Sequence, residues 1–156
     1  MKIVLFFEGM ERGKATEVVE HFLAYGYDDI ILYAKNARDY FSKIELSYYS
    51  TNGVKITPIN CLEGEGTSQR LLFIKGSLND TFLLVYSEDI ISCDMDMLYQ
   101  THKNEGNLAT TLVYKDRMVA CMLENEIFDY ALDGFNFEKE VLERVGQDLE
   151  LNQIMT

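Results

Sequence analysis

Positive charge is what this sequence has least of. Its 156 residues include 14 Lys and Arg against 26 Asp and Glu, a formal net charge of −12 with both histidines neutral. Binding a phosphate backbone needs a basic surface, so nucleic acid is excluded as a partner. An anionic membrane surface would repel the chain as well. Proline is nearly absent: Pro58 is the only one, and no Gly/Ser-rich stretch marks an internal linker. The three cysteines, Cys61, Cys93 and Cys121, are odd in number and none has CxxC spacing. They read as buried reduced thiols, which implies a reducing, cytoplasmic setting. Long hydrophobic runs are missing too. Only five apolar residues, Ile3 to Phe7, precede Glu8. That is too short for a signal-peptide core or a membrane span.

What remains is an ordinary globular composition, 47% hydrophobic and 26% charged. The length suits one domain over residues 1–156, able to bury roughly 68–70% of its unfolded surface without disulfides. Apolar runs alternate with segments of helical period. Lys2–Phe7, Asp29–Tyr33, Val54–Ile59 and Phe82–Tyr86 read as strands, with Pro58 tolerable only at an edge or strand end. Leu108–Tyr114 and Met118–Leu123 read as a hairpin across Lys115-Asp116-Arg117. Helices are expected over Ala15–Tyr25, Ala37–Ile44, Thr67–Leu78, Asp94–Lys103 and Phe137–Leu149. The order βαβαβαβαββα predicts a three-layer, Rossmann-like α/β fold with a mostly parallel mixed sheet.

In such folds ligands sit at the carboxyl ends of the strands. Three segments fall there. Glu8 to Thr16 follows the first strand and holds Gly9, Arg12, Gly13 and Lys14. Gly64 to Thr67 opens the third helix. Ser87-Glu88-Asp89 follows the central strand, and its adjacent carboxylates are the oxygen donors Mg²⁺ prefers. Asp94 and Asp96 read instead as acids at a helix N-terminus. His21 and His102 lie on or beside apolar helix stripes and read as packing residues. The ten tyrosines are scattered and imply no aromatic platform.

The first of these segments resembles a P-loop, as in nucleoside-monophosphate kinases. A P-loop needs GxxxxGK[ST], but only three residues separate Gly9 from Gly13, and Ala15 stands where the Mg²⁺-binding hydroxyl belongs. A loop one residue short cannot form the same nest.

A second resemblance covers most of the chain in order. "VVEHFLAYGYDDIILYAKNARDYF", "GTSQRLLFIKGSLNDTFLLVYSEDIIS", "DMDMLYQTHKNEGNLATTLV" and "NEIFDYALDGFNFEKEVLERVGQDLEL" are similar to successive segments of sugar-1-phosphate nucleotidyltransferases. The glucose-1-phosphate cytidylyltransferase branch is the nearest in pattern. The resemblance implies a GT-A-like fold and a Mg²⁺-dependent reaction joining an NTP to a sugar-1-phosphate. It places Gly66 and Thr67 at a base-binding turn and a metal-binding acid on Glu88 or Asp89. It leaves Arg12 and Lys14 as stand-ins for the phosphate-binding basic groups, with Gly9 and Gly13 remaining of the Gly-rich loop and Arg70 a further cation near the cleft.

The departures from the family share one direction. The Gly-rich phosphate loop is reduced to "EGMERG", and the lysine-bearing P-K-P-M segment is missing. The sugar-contacting stretch is cut to Lys115-Asp116-Arg117, and the chain stops before the W-x-D-T segment. Each departure removes chemistry and leaves core periodicity intact. The expectation is a pared-down protein that binds a nucleotide, a nucleotide-sugar or a protein partner, with lost or weak catalysis. Removing lobes that cover the sheet should also expose apolar surface and favour a homo-oligomer. The alternatives are a minimal active nucleotidyltransferase using Mg²⁺, and a P-loop-like nucleotide kinase.

Overall fold

The computed structural model describes residues 1–7, 10–62, 64–130 and 132–156. Among the described residues, seven strands form one sheet in the order β3-β2-β1-β4-β6-β5-β7. They are β1 (Lys2–Phe6), β2 (Asp29–Ala34), β3 (Lys55–Asn60), β4 (Phe82–Val85), β5 (Ala109–Tyr114), β6 (Arg117–Leu123) and β7 (Leu151–Met155). β1 pairs in parallel with β2 and β4, β2 with β3, and β5 with β7. β6 runs against both its neighbours, β4 and β5. The sheet is therefore mixed and mostly parallel.

Two apolar layers sandwich the sheet. Ile3, Leu5 and Phe7 pack with Val18, Val19 and Phe22 of α1 (Arg12–Ala24), Tyr49 of α2 (Lys43–Thr51), and Met95 and Leu98 of α4 (Met95–Glu105). Val4 and Phe6 point the other way, onto Leu71 and Ile74 of α3 (Thr67–Ile74) and Leu142 and Val145 of α5 (Leu142–Gln147). Burial on both faces is why β1 and β4 read as unbroken apolar runs.

The hairpin forms as expected, on a two-residue turn in which Lys115 and Asp116 have φ of +51° and +61°. Both are left-handed, the geometry that matches strand twist. Pro58 lies on the edge strand β3. Three elements differ from the sequence reading. The helix expected over Ala37–Ile44 is a 3₁₀ turn at Ala37–Tyr40, after which α2 starts at Lys43 on a capping box between Ser42 and Glu45. The last helix opens with a π turn at Phe137–Val141 before α5. The chain then ends in β7 rather than in a helix.

Candidate functional site

The carboxyl ends of β1, β2 and β4 finish in aromatic rings. Phe6 pairs with Tyr33 in register, and Tyr86 follows β4 beside them. The Phe6 ring meets Tyr33 edge-on at 5.8 Å and Tyr86 at 5.6 Å. The Arg70 guanidinium lies 4.9 Å from the centre of the same ring. The Tyr33 hydroxyl donates to the Arg70 carbonyl at 3.1 Å. Burial pushes the Tyr33 and Tyr86 hydroxyls above the usual phenol range and lowers the Arg70 guanidinium. Two of the ten scattered tyrosines are gathered here by the sheet: Tyr33 near the end of β2 and Tyr86 just after β4 both meet Phe6 at the end of β1.

Phe7 and Met10 are held from the side. The Tyr40 hydroxyl donates to the Phe7 carbonyl at 3.1 Å and the Met10 carbonyl at 2.7 Å. α1 begins two residues after Met10, at Arg12. Arg12 is exposed and pairs with Glu45 of α2, the residue that also closes the α2 cap. Lys14 pairs with Glu17 on the same helix at 3.5 Å. Both basic groups are thus tied to carboxylates on α1 and α2. A Cβ at Gly13 would meet nothing within 4 Å, so no close backbone approach demands glycine there. Gly9 lies outside the described residues.

Gly66 is the N-cap of α3, and its N–H donates to Gln69 Oε1 at 2.8 Å. The adjoining side chains reach across to the segment before α5. Thr67 Oγ1 donates to Glu138 Oε1 at 2.5 Å, and Ser68 Oγ donates to the Phe135 carbonyl at 2.8 Å. The turn expected to meet a base is therefore already engaged by the chain's own carboxyl-terminal part.

Glu88 and Asp89 stand half-buried at the carboxyl end of β4, in a 3₁₀ turn anchored by buried Ile90. Ser87 Oγ accepts from the Asp89 N–H at 3.1 Å. As hard oxygen donors they fit Mg²⁺ or Mn²⁺, which would complete their shells with water and ligand phosphates. Among the described residues no three His, Cys, Asp or Glu side chains converge as a metal cluster. Asp94 does act at a helix terminus, its Oδ1 accepting from the Met97 N–H at 3.0 Å.

Among the described residues, cavities open at the other end of the sheet. One of about 500 Å³ is lined by His102, Glu124, Glu126, Asp129 and Glu150. His102 is 1% exposed and sits between Thr110 Oγ1 at 2.7 Å from Nδ1 and Glu124 Oε1 at 3.0 Å from Nε2. Thr81 Oγ1 also donates to Glu124, at 2.7 Å to Oε2. The His102 reading as a packing residue holds, with a hydrogen-bond network that no local spacing indicated. Cys93 and Cys121 are buried and Cys61 half-buried, and none of the three is in a disulfide.

No protein-family model and no curated protein matches the chain. Solved structures do match. A Bacillus anthracis protein described as a glucose-1-phosphate thymidylyltransferase, in complex with sucrose, aligns at a TM-score of 0.66 and 12% identity, over 100% of this chain and 87% of that one. HddC from Yersinia pseudotuberculosis, complexed with GMP-PN, aligns at 0.63 and 16%, over 99% and 90%. Rv0371c from Mycobacterium tuberculosis, in complex with manganese, aligns at 0.57 and 13%, over 99% and 87%. At these identities the likeness is one of fold: a three-layer α/β, GT-A-like nucleotidyltransferase architecture.

Proposed function

We propose that residues 1–156 form one nucleotidyltransferase-like unit that binds a nucleotide or nucleotide-sugar at the carboxyl ends of β1 and β4 without normal transfer activity. It would serve as a binding or interaction protein in nucleotide-sugar metabolism. The observation that carries this reading is the state of the basic groups after β1. Transfer to a sugar-1-phosphate needs cations preorganised on the phosphates. Here Arg12 and Lys14 are held by Glu45 and Glu17, and Arg70 is stacked on Phe6. Gly66 and Thr67 would meet the base once Thr67 is released from Glu138, Gly9 and Gly13 would line the phosphate side, and Glu88 or Asp89 would hold Mg²⁺. Neighbours of the same fold were solved with GMP-PN, sucrose or manganese, which supports this ligand class.

One observation favours a minimal active enzyme instead. The Arg12 and Lys14 pairs are solvent-exposed, and such pairs are worth about 1 kcal/mol or less, so a triphosphate could draw both residues away. The P-loop kinase reading finds no support in a sheet with an antiparallel β6. Calorimetric titration with CTP, UTP, GTP and dTTP, with and without Mg²⁺, tests binding. Pyrophosphate release with a panel of sugar-1-phosphates tests transfer. The proposal expects Mg²⁺-dependent binding that Glu88→Ala or Asp89→Ala weakens, and no pyrophosphate. Steady release would favour the active enzyme, and unchanged binding in both variants would rule out the metal assignment.

A further inference from the structure

The sheet has two edges, and they are built differently. β3 forms one. The N–H groups of Lys55 and Cys61 donate to the carbonyls of Asp28 and Ala34, so odd-numbered residues face β2 and Ile56, Pro58 and Asn60 face outward. Pro58 offers no N–H on that outer side, which obstructs the addition of another strand. β7 forms the other edge. The Ala109 N–H donates to the Glu150 carbonyl, and the Thr156 N–H donates to the Val113 carbonyl. Even-numbered residues therefore face β5, and the backbone groups of Leu151, Gln153 and Met155 face outward. Among the described residues no strand pairs with that side. The Gln153 N–H is held by the Asn152 side chain at 3.0 Å, a contact that an incoming carbonyl can replace. β7 reads LNQIM, with no proline and no charge. It has neither the proline nor the charge that protects edges.

Leu149 is a second observation. The Leu149 N–H donates to the Gly146 carbonyl and the Glu150 N–H to the Val145 carbonyl, a Schellman ending to α5. Such an ending favours glycine, yet Leu149 occupies it at φ +59°. Its side chain is 84% exposed, and Met155, at the far end of β7, is 64% exposed. A strained backbone thus presents a large apolar side chain to solvent at the entrance to the open edge.

Charge supplies the third observation and the direction of pairing. Exposed Asp148 and Glu150 lie at the amino end of β7. Its carboxyl end lies beside β5, Val113 opposite Met155, and the hairpin turn beyond carries exposed Lys115 and Arg117 around Asp116. A second copy added antiparallel sets the acidic end of one strand beside the basic end of the other. A parallel addition would set acid against acid. An added strand lies about 10 Å from β5, within reach of these charges at physiological salt.

We propose that the β7 edge is a homodimer surface, on which two copies pair antiparallel about a two-fold axis at Gln153 and join their sheets. A ladder of this length buries little area, so the dimer is reversible and no tighter than micromolar. Sedimentation velocity on the full chain across a wide concentration range, with amide hydrogen exchange at each concentration, tests this. The expected result is a dimer that weakens with salt, with exchange at the Leu151, Gln153 and Met155 amides slowing as it forms. Gln153→Pro deletes an outward N–H without removing a bond to β5 and should weaken the dimer about tenfold or more. Leu149→Gly should weaken it while stabilising the monomer. Should Gln153→Pro unfold, the joint variant Lys115→Glu and Arg117→Glu on the exposed turn gives the same reading through charge. A monomer at every concentration overturns the proposal, including one whose edge is taken by a different protein's strand. A dimer whose protection falls elsewhere, such as the Ile44–Tyr48 face of α2, or one that a folded Gln153→Pro protein retains in full, overturns it too.

Discussion

At the carboxyl end of the sheet, β1, β2 and β4 finish in Phe6, Tyr33 and Tyr86, packed on one another and on Arg70. At the amino end, Thr81, Glu124 and His102, the last anchored on buried Thr110, line open space instead. The first end is where the fold ordinarily works, and here apolar rings and internal ties occupy it. The second holds a buried polar group whose partners must all be present. Substitutions in this ring cluster should therefore act through packing, and those in the amino-end network through unsatisfied polar groups.

The largest effect is expected at the carboxyl end. Phe6→Ala removes the ring that three side chains share and should cost about 3–5 kcal/mol in urea unfolding. At the amino end, His102→Ala leaves Thr110 and Glu124 without their buried partner and should cost about 2–3 kcal/mol. It should leave nucleotide titrations unchanged; a loss of binding in a folded His102→Ala protein would contradict the separation of the two ends. Leu149→Gly relieves a left-handed leucine and should stabilise the monomer by about 1 kcal/mol. Arg12→Ala breaks an exposed pair and should leave the urea midpoint nearly unchanged.

Alkaline titration adds a comparison by protonation. Tyr27, Tyr33, Tyr40, Tyr49 and Tyr86 have phenol groups raised chiefly by burial. Tyr130 is raised to about 12, chiefly by its hydrogen bond to Asp148. In the unfolded chain these groups ionise near pH 10. Above that the unfolded state holds fewer protons than the folded one, so their contribution is whole below about pH 10 and is lost as pH rises through the folded values. Tyrosinate absorbance of the folded protein should lag behind that of the urea-unfolded protein. Coincident curves would contradict the buried ring cluster.

Much of the fold was legible in local pattern. The runs at Ile3–Phe7 and Phe82–Val85 mark strands buried on both faces, and Pro58 marks an edge. α2 was not legible from periodicity, because Ile44 and Tyr48 face solvent and only Tyr49 is buried, leaving no apolar stripe. Its one signal was the Ser42–Glu45 capping box. β7 was hidden because LNQIM is short and half polar, and its partner β5 lies far back in the chain. The candidate site was legible as segments only. Which carboxylate each of Arg12, Lys14 and Thr67 meets depends on Glu45, Glu17 and Glu138, and two of these come from distant elements.

One calorimetric experiment tests the central claim most directly: CTP injected into protein with Mg²⁺ and glucose-1-phosphate in the cell. The account predicts a heat that saturates with nucleotide and returns to baseline after each injection. A sustained heat accompanied by pyrophosphate would show that transfer survives. No heat from this or any other nucleotide would show that the carboxyl end of this sheet is not a nucleotide site.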